Sequence, residues 1–465
     1  MKFVHKDLSQ IMTIIKAIAQ HKGRALLVGG AVRDMVLGLP VKDIDIEVYG
    51  LIEAELEKVL RQFGVVNCVG KSFGVLRLSG LDVDWSLPRT DQEGRKPHVM
   101  IDPFMPIEKA LRRRDLTMNA MAYDITTQDL IDPFGGIDDI QNKILRTPDP
   151  AFFVQDPLRF FRVMQFIGRF EMVPDKQLDA LCSKMDIAYI SRERIEQEFH
   201  KLLLFSKKPS LGIRWLKDIG RLHDILPELA DTIGVVQEHR WHPEGDVFEH
   251  SMQAVDAAAI IAKKYTNDFN RLVLLYAALS HDLGKVSTTI VVNRVIKSYG
   301  HEVDGQKLAR AMLKRITHNG DLIAAVERMV RYHMDPFLFI ANNASLGAYR
   351  RLARKIAPHI TMLQLLDLSI ADKRGRNGHG HEPLTIDLES AAIFLEKITA
   401  AQVQTAPIKP LLHGEDIMQW VTPGPEMGMV LKKAYDIQLS QGVVDKSELL
   451  ERMKPILNDF IKHKN

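Results

Sequence analysis

Along the first third of the chain, apolar positions alternate with polar ones in short runs closed by glycine. Examples are ALLVGG, DIDIEVYG, FGVLRLSGLDVDWSLP and MNAMAYDITTQDLIDPFGG. This period of two, punctuated by turn residues, predicts strands and a mixed α/β head over residues 1–150. From residue 151 the spacing lengthens to that of amphipathic helices, beginning with DPLRFFRVMQFIGRF and continuing through SRERIEQEFHKLLL, and the remainder is expected to be all-helical. The fold class is therefore α+β, a small mixed α/β head followed by helical regions. Two breaker-rich stretches, WHPEGDVFEH at 241–250 and GRNGHGHEPL at 375–384, divide the helical part. The expected segments are a head (1–150), a helical neck (151–235), a third segment (236–390) and a helical tail (391–465). No internal repeat is visible.

Composition changes this picture little. A chain of 465 residues, 46% hydrophobic, can bury several cores. Two cysteines, Cys68 and Cys182, do not make a disulfide scaffold or a cysteine-rich metal site. The opening MKFVHKDLSQ leads into a helical pattern, and no segment reaches the roughly 18 apolar residues of a membrane span. A cytoplasmic location with no membrane partner is expected; monomer and homodimer both stay open. The net charge of +3, from 62 basic and 59 acidic side chains, leaves any positive surface to local placement. LRRRD at 111–115 and FSKKP at 205–209 are such clusters, each also readable as a solvated helix face.

The head carries the first candidate chemistry. In DIDI, Asp43 and Asp45 are two apart, so on a strand both carboxylates face one way and Ile44 and Ile46 the other. Two ionised carboxylates on one face repel unless a cation lies between them, which points to divalent metal, most simply Mg²⁺ in phosphoryl or nucleotidyl transfer. A solvent-facing edge strand would show the same pattern. The preceding VGGAVRD favours the metal: Gly29 and Gly30 allow close backbone approach at a strand-to-helix turn, where free N–H groups can receive phosphate. Arg33 can then meet phosphate while Asp34 orients neighbouring groups. Asp84, from LDVDWSLPR, is the candidate third carboxylate, with Asp82 left exposed or structural. Arg113, Arg114 and Asp115, from RRRDLTMNA, offer guanidinium forks suited to a triphosphate or sugar hydroxyls, and an acid to hold one of them.

GGAVRDMVLGLPVKDIDI, RRRDLTMNA, IDPFGGIDDI, DPLRFFR and SRERIEQE occur in the order and approximate spacing of the bacterial-type, or class II, CCA-adding tRNA nucleotidyltransferases and related poly(A) polymerases, which this chain resembles over roughly residues 20–235. The resemblance implies Asp43 and Asp45 as metal-binding catalytic residues. It also implies Arg114 and Asp115 near the nucleotide sugar, residues 132–139 as a flexible catalytic motif, and Arg162 among the nucleotide contacts. In QDPLRF, Asp156 and Arg159 are three apart and, if helical, present an acceptor and a donor on one face. Cytosine and adenine both pair an amino donor with a ring acceptor; uracil and guanine reverse that order, a buried mismatch of roughly 1 to 3 kcal/mol. Gln155 stands where the family usually has Glu, which alters the bracing of Arg159 and the C-to-A switch. Asp156 is also a natural helix N-cap, and the aromatic spacing of FFRVMQFIGRF is that of a packed core.

A second constellation is spread over about 120 residues: His250 in FEHSMQAV, His281 and Asp282 in LSHDLGK, His301 in SYGHEVDG, His333 in RYHMD and Asp372 in SIADKRGR. Imidazole with carboxylate suits a divalent transition metal and a hydrolytic site. Asp282 can bridge two ions, and Lys285, one turn on, can approach phosphate. The set resembles the HD phosphohydrolase superfamily, which implies His250, His281, Asp282 and Asp372 as the basic metal set, with His301 and His333 as further ligands or phosphate-site groups. Ni²⁺, Mn²⁺, Co²⁺ and Mg²⁺ all fit these ligand types.

The whole chain resembles the multifunctional bacterial form of the CCA-adding enzymes. The activities implied are addition of C, C and A to the 3′ end of tRNA from CTP and ATP, and hydrolysis of 2′,3′-cyclic phosphodiesters and 2′-nucleotides together with phosphatase action. In the tail, Pro423-Gly424-Pro425 should end one helix and admit another, and Lys432 and Lys433 can touch RNA backbone. The rivals are a poly(A) polymerase or partial CC- or A-adding enzyme, and an HD phosphohydrolase whose head only binds RNA.

Overall fold

The structure, a computed structural model, describes residues 3–69, 75–91 and 99–462. It divides into two compact units, Met1–Glu198 and Phe199–Asn465.

The first unit opens with the helix Leu8–Gln20, whose buried Ile11, Ile14, Ile15 and Ile18 recur at helical spacing and form one apolar stripe. The strands are β1 (Arg24–Val28), β2 (Ile44–Tyr49), β3 (Val66–Val69), β4 (Val75–Leu78), β5 (Val83–Ser86), a separate hairpin of β6 (Arg89–Asp91) and β7 (Val99–Ile101), then β8 (Ala122–Tyr123) and β9 (Leu130–Ile131). The start of the run at 73–88, Phe73 and Gly74, lies outside the described residues. One sheet orders β3-β4-β5-β2-β1-β8-β9. Among the described residues its one parallel pairing is β2 with β5, and the others are antiparallel.

That parallel pair places the acids. Ile44 lies opposite Val83 and Ile46 opposite Trp85, all buried, while Asp45 lies opposite Asp84. Because side chains alternate across the sheet, burying the isoleucines forces the aspartates to its other face. After the sheet come the helices Pro150–Phe153, Leu158–Phe170, Lys176–Lys184 and Arg192–Phe205. Phe160, Phe161, Val163, Met164, Phe166 and Ile167 are buried, so the aromatic run after DPLR is core.

The second unit is largely helical. Helix Val247–Ile261 packs against Asp268–Ser280 and Met362–Arg374, and Gly320–Tyr332 packs against Asp268–Ser280 and His301–Ile316. The expectation of helix alone from residue 151 needs two corrections: Val173–Pro174 pairs in parallel with Ile144–Leu145, and Thr289–Val292 and Val295–Ser298 form an antiparallel hairpin. The β-branched run there turns at Asn293 and Arg294, both at positive φ, the backbone that a tight two-residue hairpin requires. In the tail, Pro425 starts the helix Pro425–Gln441 in its first turn, and Lys432 and Lys433 are exposed on it. Leu412, Ile417, Val421, Val430, Leu449, Met453 and Leu457 form a local core. Among the described residues no helix is long and apolar enough to cross a membrane.

Candidate functional site

In the head, Asp43 is exposed at the bend before β2, and Asp45 follows on the strand, half-buried. Burial pushes the Asp45 carboxyl up from its ordinary value; Arg114 pulls it down, and Asp84 and Asp43 push it up again. Asp45 thus feels both neighbouring acids. Asp84 pairs with Arg77, its register partner on β4.

Gly29 sits at φ 69° at the turn from β1 into helix Gly30–Val36, and a Cβ there would lie 2.7 Å from Nη1 of Arg114. Arg114 therefore lies against the glycine turn, beside the acidic face. Arg113 reaches Glu47 at 3.5 Å, and Glu47 also accepts from the Tyr49 hydroxyl at 2.7 Å. Glu47 is the third acid of the alternation D-I-D-I-E, and continuing the period by one step would have found it. Arg77 left no such signal, since only strand pairing brings it to Asp84.

Arg33 also lies beside the turn, where a Cβ on Gly30 would meet its Nη2 at 3.4 Å. Its guanidinium donates to Asp34 Oδ1 at 2.9 and 2.7 Å and to Asn119 Oδ1 at 2.9 Å, and lies over Phe166 and Phe170 at 5.4 and 4.9 Å. It is 6% exposed, which makes it a brace between the glycine-turn helix and helix Leu158–Phe170.

Asp115 accepts from the Leu116 N–H at 2.8 Å, Asn119 Nδ2 at 2.9 Å and Arg162 Nε at 2.6 Å. Burial pushes its carboxyl up, but Arg162 and the Asn119 hydrogen bond outweigh that and hold it down at about 2. Asp156 and Arg159 share a helix start, yet each has other partners. Arg159 donates to the carbonyls of Phe152 at 2.6 Å and Arg113 at 2.8 Å; Asp156 accepts from the Leu158 N–H at 3.1 Å and from Arg194 at 3.3 Å. In the 132–139 segment, Asp132 accepts from the N–H groups of Gly136 at 2.7 Å and Ile137 at 2.9 Å, closing the DPFGG turn onto its helix.

In the second unit, the ends of several helices bring the dispersed histidines together. His281 and His333 cap the C-termini of helices Asp268–Ser280 and Gly320–Tyr332, His301 opens helix His301–Ile316, and Asp372 lies in the last turn of Met362–Arg374. The glycine of HDLGK permits this approach: a Cβ on Gly284 would lie 2.0 Å from the His301 carbonyl oxygen. His250, His281, Asp282, His301, His333 and Asp372 are all buried.

The ring orientations follow from hydrogen bonding. Nδ1 donates to Ala278 O at 2.9 Å from His281, to Ser298 O at 2.8 Å from His301, and to Val330 O at 2.7 Å from His333. His250 Nδ1 contacts Glu244 Oε1 at 2.7 Å and Gly375 O at 3.1 Å. With the proton assigned to Nδ1 by these partners, each Nε2 presents a lone pair inward. His250 and His281 then face one another through Nε2 at 3.1 Å, and His301 and His333 at 3.2 Å. Acceptors so close repel, and a cation between them turns the repulsion into ligation.

The carboxylates complete two groups. Asp372 Oδ1 is 3.1 Å from His250 Nε2, and Asp282 Oδ2 is 3.3 Å from His281 Nε2; Asp282 Oδ1 is 3.3 Å from His301 Nε2 and 3.8 Å from His333 Nε2. The sets His250–His281–Asp372 and Asp282–His301–His333 each gather within metal-ligating range. The donor set fits a divalent ion, and this region holds a divalent-metal site. Lys285 donates to Asp282 Oδ2 at 2.6 Å and to Gln237 Oε1 at 2.8 Å, and Arg376 donates to Asp372 Oδ1 at 2.6 Å. Arg376 was legible four residues after Asp372. Gln237 had no sequence signal. Glu244 lay in WHPEGDVFEH, a stretch that reads as a breaker until its position beside His250 is known.

Comparison with known proteins agrees with both halves. A family model described as the poly A polymerase head domain matches residues 25–146, and an HD domain model matches 247–373. The chain is similar to solved structures titled a Bacillus stearothermophilus CCA-adding enzyme in complex with CTP (TM-score 0.67, 20% identity, covering 98% of this chain and 100% of that one) and a Thermotoga maritima CCA-adding enzyme complexed with tRNA (TM-score 0.60, 20% identity, covering 98% and 97%). At that identity the likeness is one of fold. The Multifunctional CCA protein of Azoarcus sp. (strain BH72) is 36% identical over 302 residues, covering 63% of this chain and 69% of that protein. The protein of the same name from Nitrosomonas europaea is 32% identical over 397 residues, covering 79% and 90%. With a polymerase-type head and an HD module in one chain, and alignment along most of such relatives, the chain belongs to the multifunctional CCA protein family.

Proposed function

We propose that the head adds C, C and A to the 3′ end of tRNA, using CTP and ATP and releasing pyrophosphate. The observation that carries this reading is the register of Asp45 with Asp84 on one sheet face, with Arg114 packed on the glycine turn beside it. In this reading the tRNA 3′-hydroxyl attacks the α-phosphate of the nucleotide and pyrophosphate leaves. Asp43 and Asp45, with Asp84 as the third acid, would hold Mg²⁺, which neutralises phosphate charge and polarises the attacking hydroxyl. Gly29 and Gly30 admit the triphosphate to the turn, Arg113 and Arg114 grip it, and Asp115 fixes Arg162 and Asn119 near the sugar. Arg33, with three of its donors on Asp34 and Asn119, braces this turn and keeps further N–H groups for phosphate.

Base choice belongs to Asp156 and Arg159 in this proposal. Reading a base requires Arg159 to exchange the carbonyls of Phe152 and Arg113, and Asp156 to exchange Arg194, for the edge of the incoming nucleotide. The exposed Lys432 and Lys433 suit contact with tRNA backbone. The proposed division of labour is head 1–150, base-reading neck 151–235, hydrolase 236–390 and RNA-holding tail 391–465. The test is a primer series ending before C, after CC and after CCA, with CTP and ATP supplied singly and together. Products stopping at CCA support the reading; poly(A) tracts or a halt at CC would replace it with one of the narrower polymerase activities.

The same proposal gives the second unit hydrolysis of 2′,3′-cyclic phosphodiesters and 2′-nucleotides, carried by the inward-facing Nε2 atoms. His250, His281, Asp282 and Asp372 would hold one divalent ion, and Asp282, His301 and His333 a second; Ni²⁺, Mn²⁺, Co²⁺ and Mg²⁺ are the candidates, and such an ion supplies a hydroxide-like nucleophile at neutral pH. Lys285, braced by Gln237, is placed to receive phosphate. The two activities fit one substrate: transfer needs a free terminal hydroxyl, and a cyclic phosphate blocks it. Equal CTP addition to primers ending in hydroxyl and in 2′,3′-cyclic phosphate supports coupled repair; addition to the first alone, with metals supplied, removes it.

A further inference from the structure

WHPEGDVFEH contributes more than His250. The Glu244 side chain has no solvent exposure, and its Oε1 lies 2.7 Å from His250 Nδ1 and 2.9 Å from His242 Nδ1. The two rings stand almost perpendicular, at 88°, with centroids 4.8 Å apart, and both direct Nδ1 to the same carboxylate oxygen. His281, His301 and His333 direct Nδ1 to backbone carbonyls instead. A carboxylate fixes the Nδ1–H tautomer as a carbonyl does, and its negative charge also strengthens the ring as a donor through Nε2. The other acceptor available to His250 Nδ1, Gly375 O, is more distant at 3.1 Å.

We propose that Glu244 is a positioning residue of the metal centre, setting the direction and donor strength of His250 Nε2. The inference rests on the metal-site reading above. It predicts an asymmetry between the two ligand groups, which share Asp282: losing Glu244 weakens the ion held by His250 more than the ion held by His301 and His333.

The experiment uses the full chain, stripped of metal and titrated with Ni²⁺ by calorimetry, and with Co²⁺ by its visible absorption, at one pH. Glu244→Ala should weaken binding at the His250 side by about 10- to 100-fold, the usual scale for removing an outer partner of a metal-bound histidine. It should shift the Co²⁺ band and change the affinity of the His301–His333 group by no more than about twofold. Glu244→Gln keeps shape and one acceptor but removes the charge, and should fall between wild type and Glu244→Ala. If the alanine variant does not fold, the isosteric glutamine variant decides. Wild-type affinity and an unchanged Co²⁺ spectrum in folded Glu244→Gln and Glu244→Ala would overturn the proposal while leaving the metal site standing. Failure of the wild type to bind either ion, or His281→Ala binding as the wild type does, would overturn the metal-site reading and this inference with it.

Discussion

The acids of the head and the ligands of the helical unit gather charge under opposite conditions. Asp43 is exposed, Asp45 is half-buried and Asp84 lies beside Arg77, all on a sheet face with arginines around it. Asp282 and Asp372 are instead buried under a ring of imidazoles. Burial pushes both carboxyls up, and nearby cations, Lys285 foremost for Asp282 and Arg376 for Asp372, hold them well below the ordinary carboxylate range. The open face suits a charged substrate that brings its own phosphates and leaves as product. The closed centre suits an ion that stays while small substrates come and go. In the proposed function, each site should therefore fail separately.

The largest effect expected is from Asp45→Asn, which should lower CTP and ATP incorporation by roughly a thousandfold, on the scale of losing several kcal/mol of charge stabilisation. Hydrolysis of a 2′,3′-cyclic phosphodiester by the same folded variant should stay within about twofold of wild type, since the acid belongs to the other site. Radiolabelled addition and a phosphodiesterase assay on one preparation measure both. His281→Ala should do the reverse, reducing hydrolysis by about a hundredfold or more and bound metal with it, while addition persists. Loss of both activities in either variant would break the separation.

Smaller effects sharpen it. Replacing Asp156 and Arg159 together by alanine should narrow discrimination of CTP over UTP by about tenfold, as expected from a mismatch of 1 to 3 kcal/mol. The readout is the ratio of kcat/KM values; unchanged discrimination would remove the pair from base reading. Gln155→Glu should alter the ratio of C to A addition by no more than about fivefold, the effect of a half-exposed charge pair. The counts of C and A added to a primer ending before C measure it.

How far these sites could be read from sequence depended on how their residues were distributed. The head declared itself because a strand has a period of two: Asp43, Asp45 and Glu47 follow one rule, and burial of Ile44 and Ile46 fixes which way they point. Its arginines were legible as a cluster but their directions were not. Arg33 turned to two phenylalanines more than 130 residues away, a contact that no local pattern encodes. In the helical unit, residue types revealed a metal site, while the order of ligands around it depended on which helix ends meet. Glu244 was hidden because glycine, proline and histidine together look like a linker. The hairpin at 289–298 escaped because two short strands carry too little periodicity to stand out between long helices.

Asp282 turns one oxygen toward His281 and the other toward His301 and His333. A single side chain thereby bears on both halves of the centre, so in the proposed function its loss would undo both ligand groups in one step while the acids of the head kept their own strand pairing.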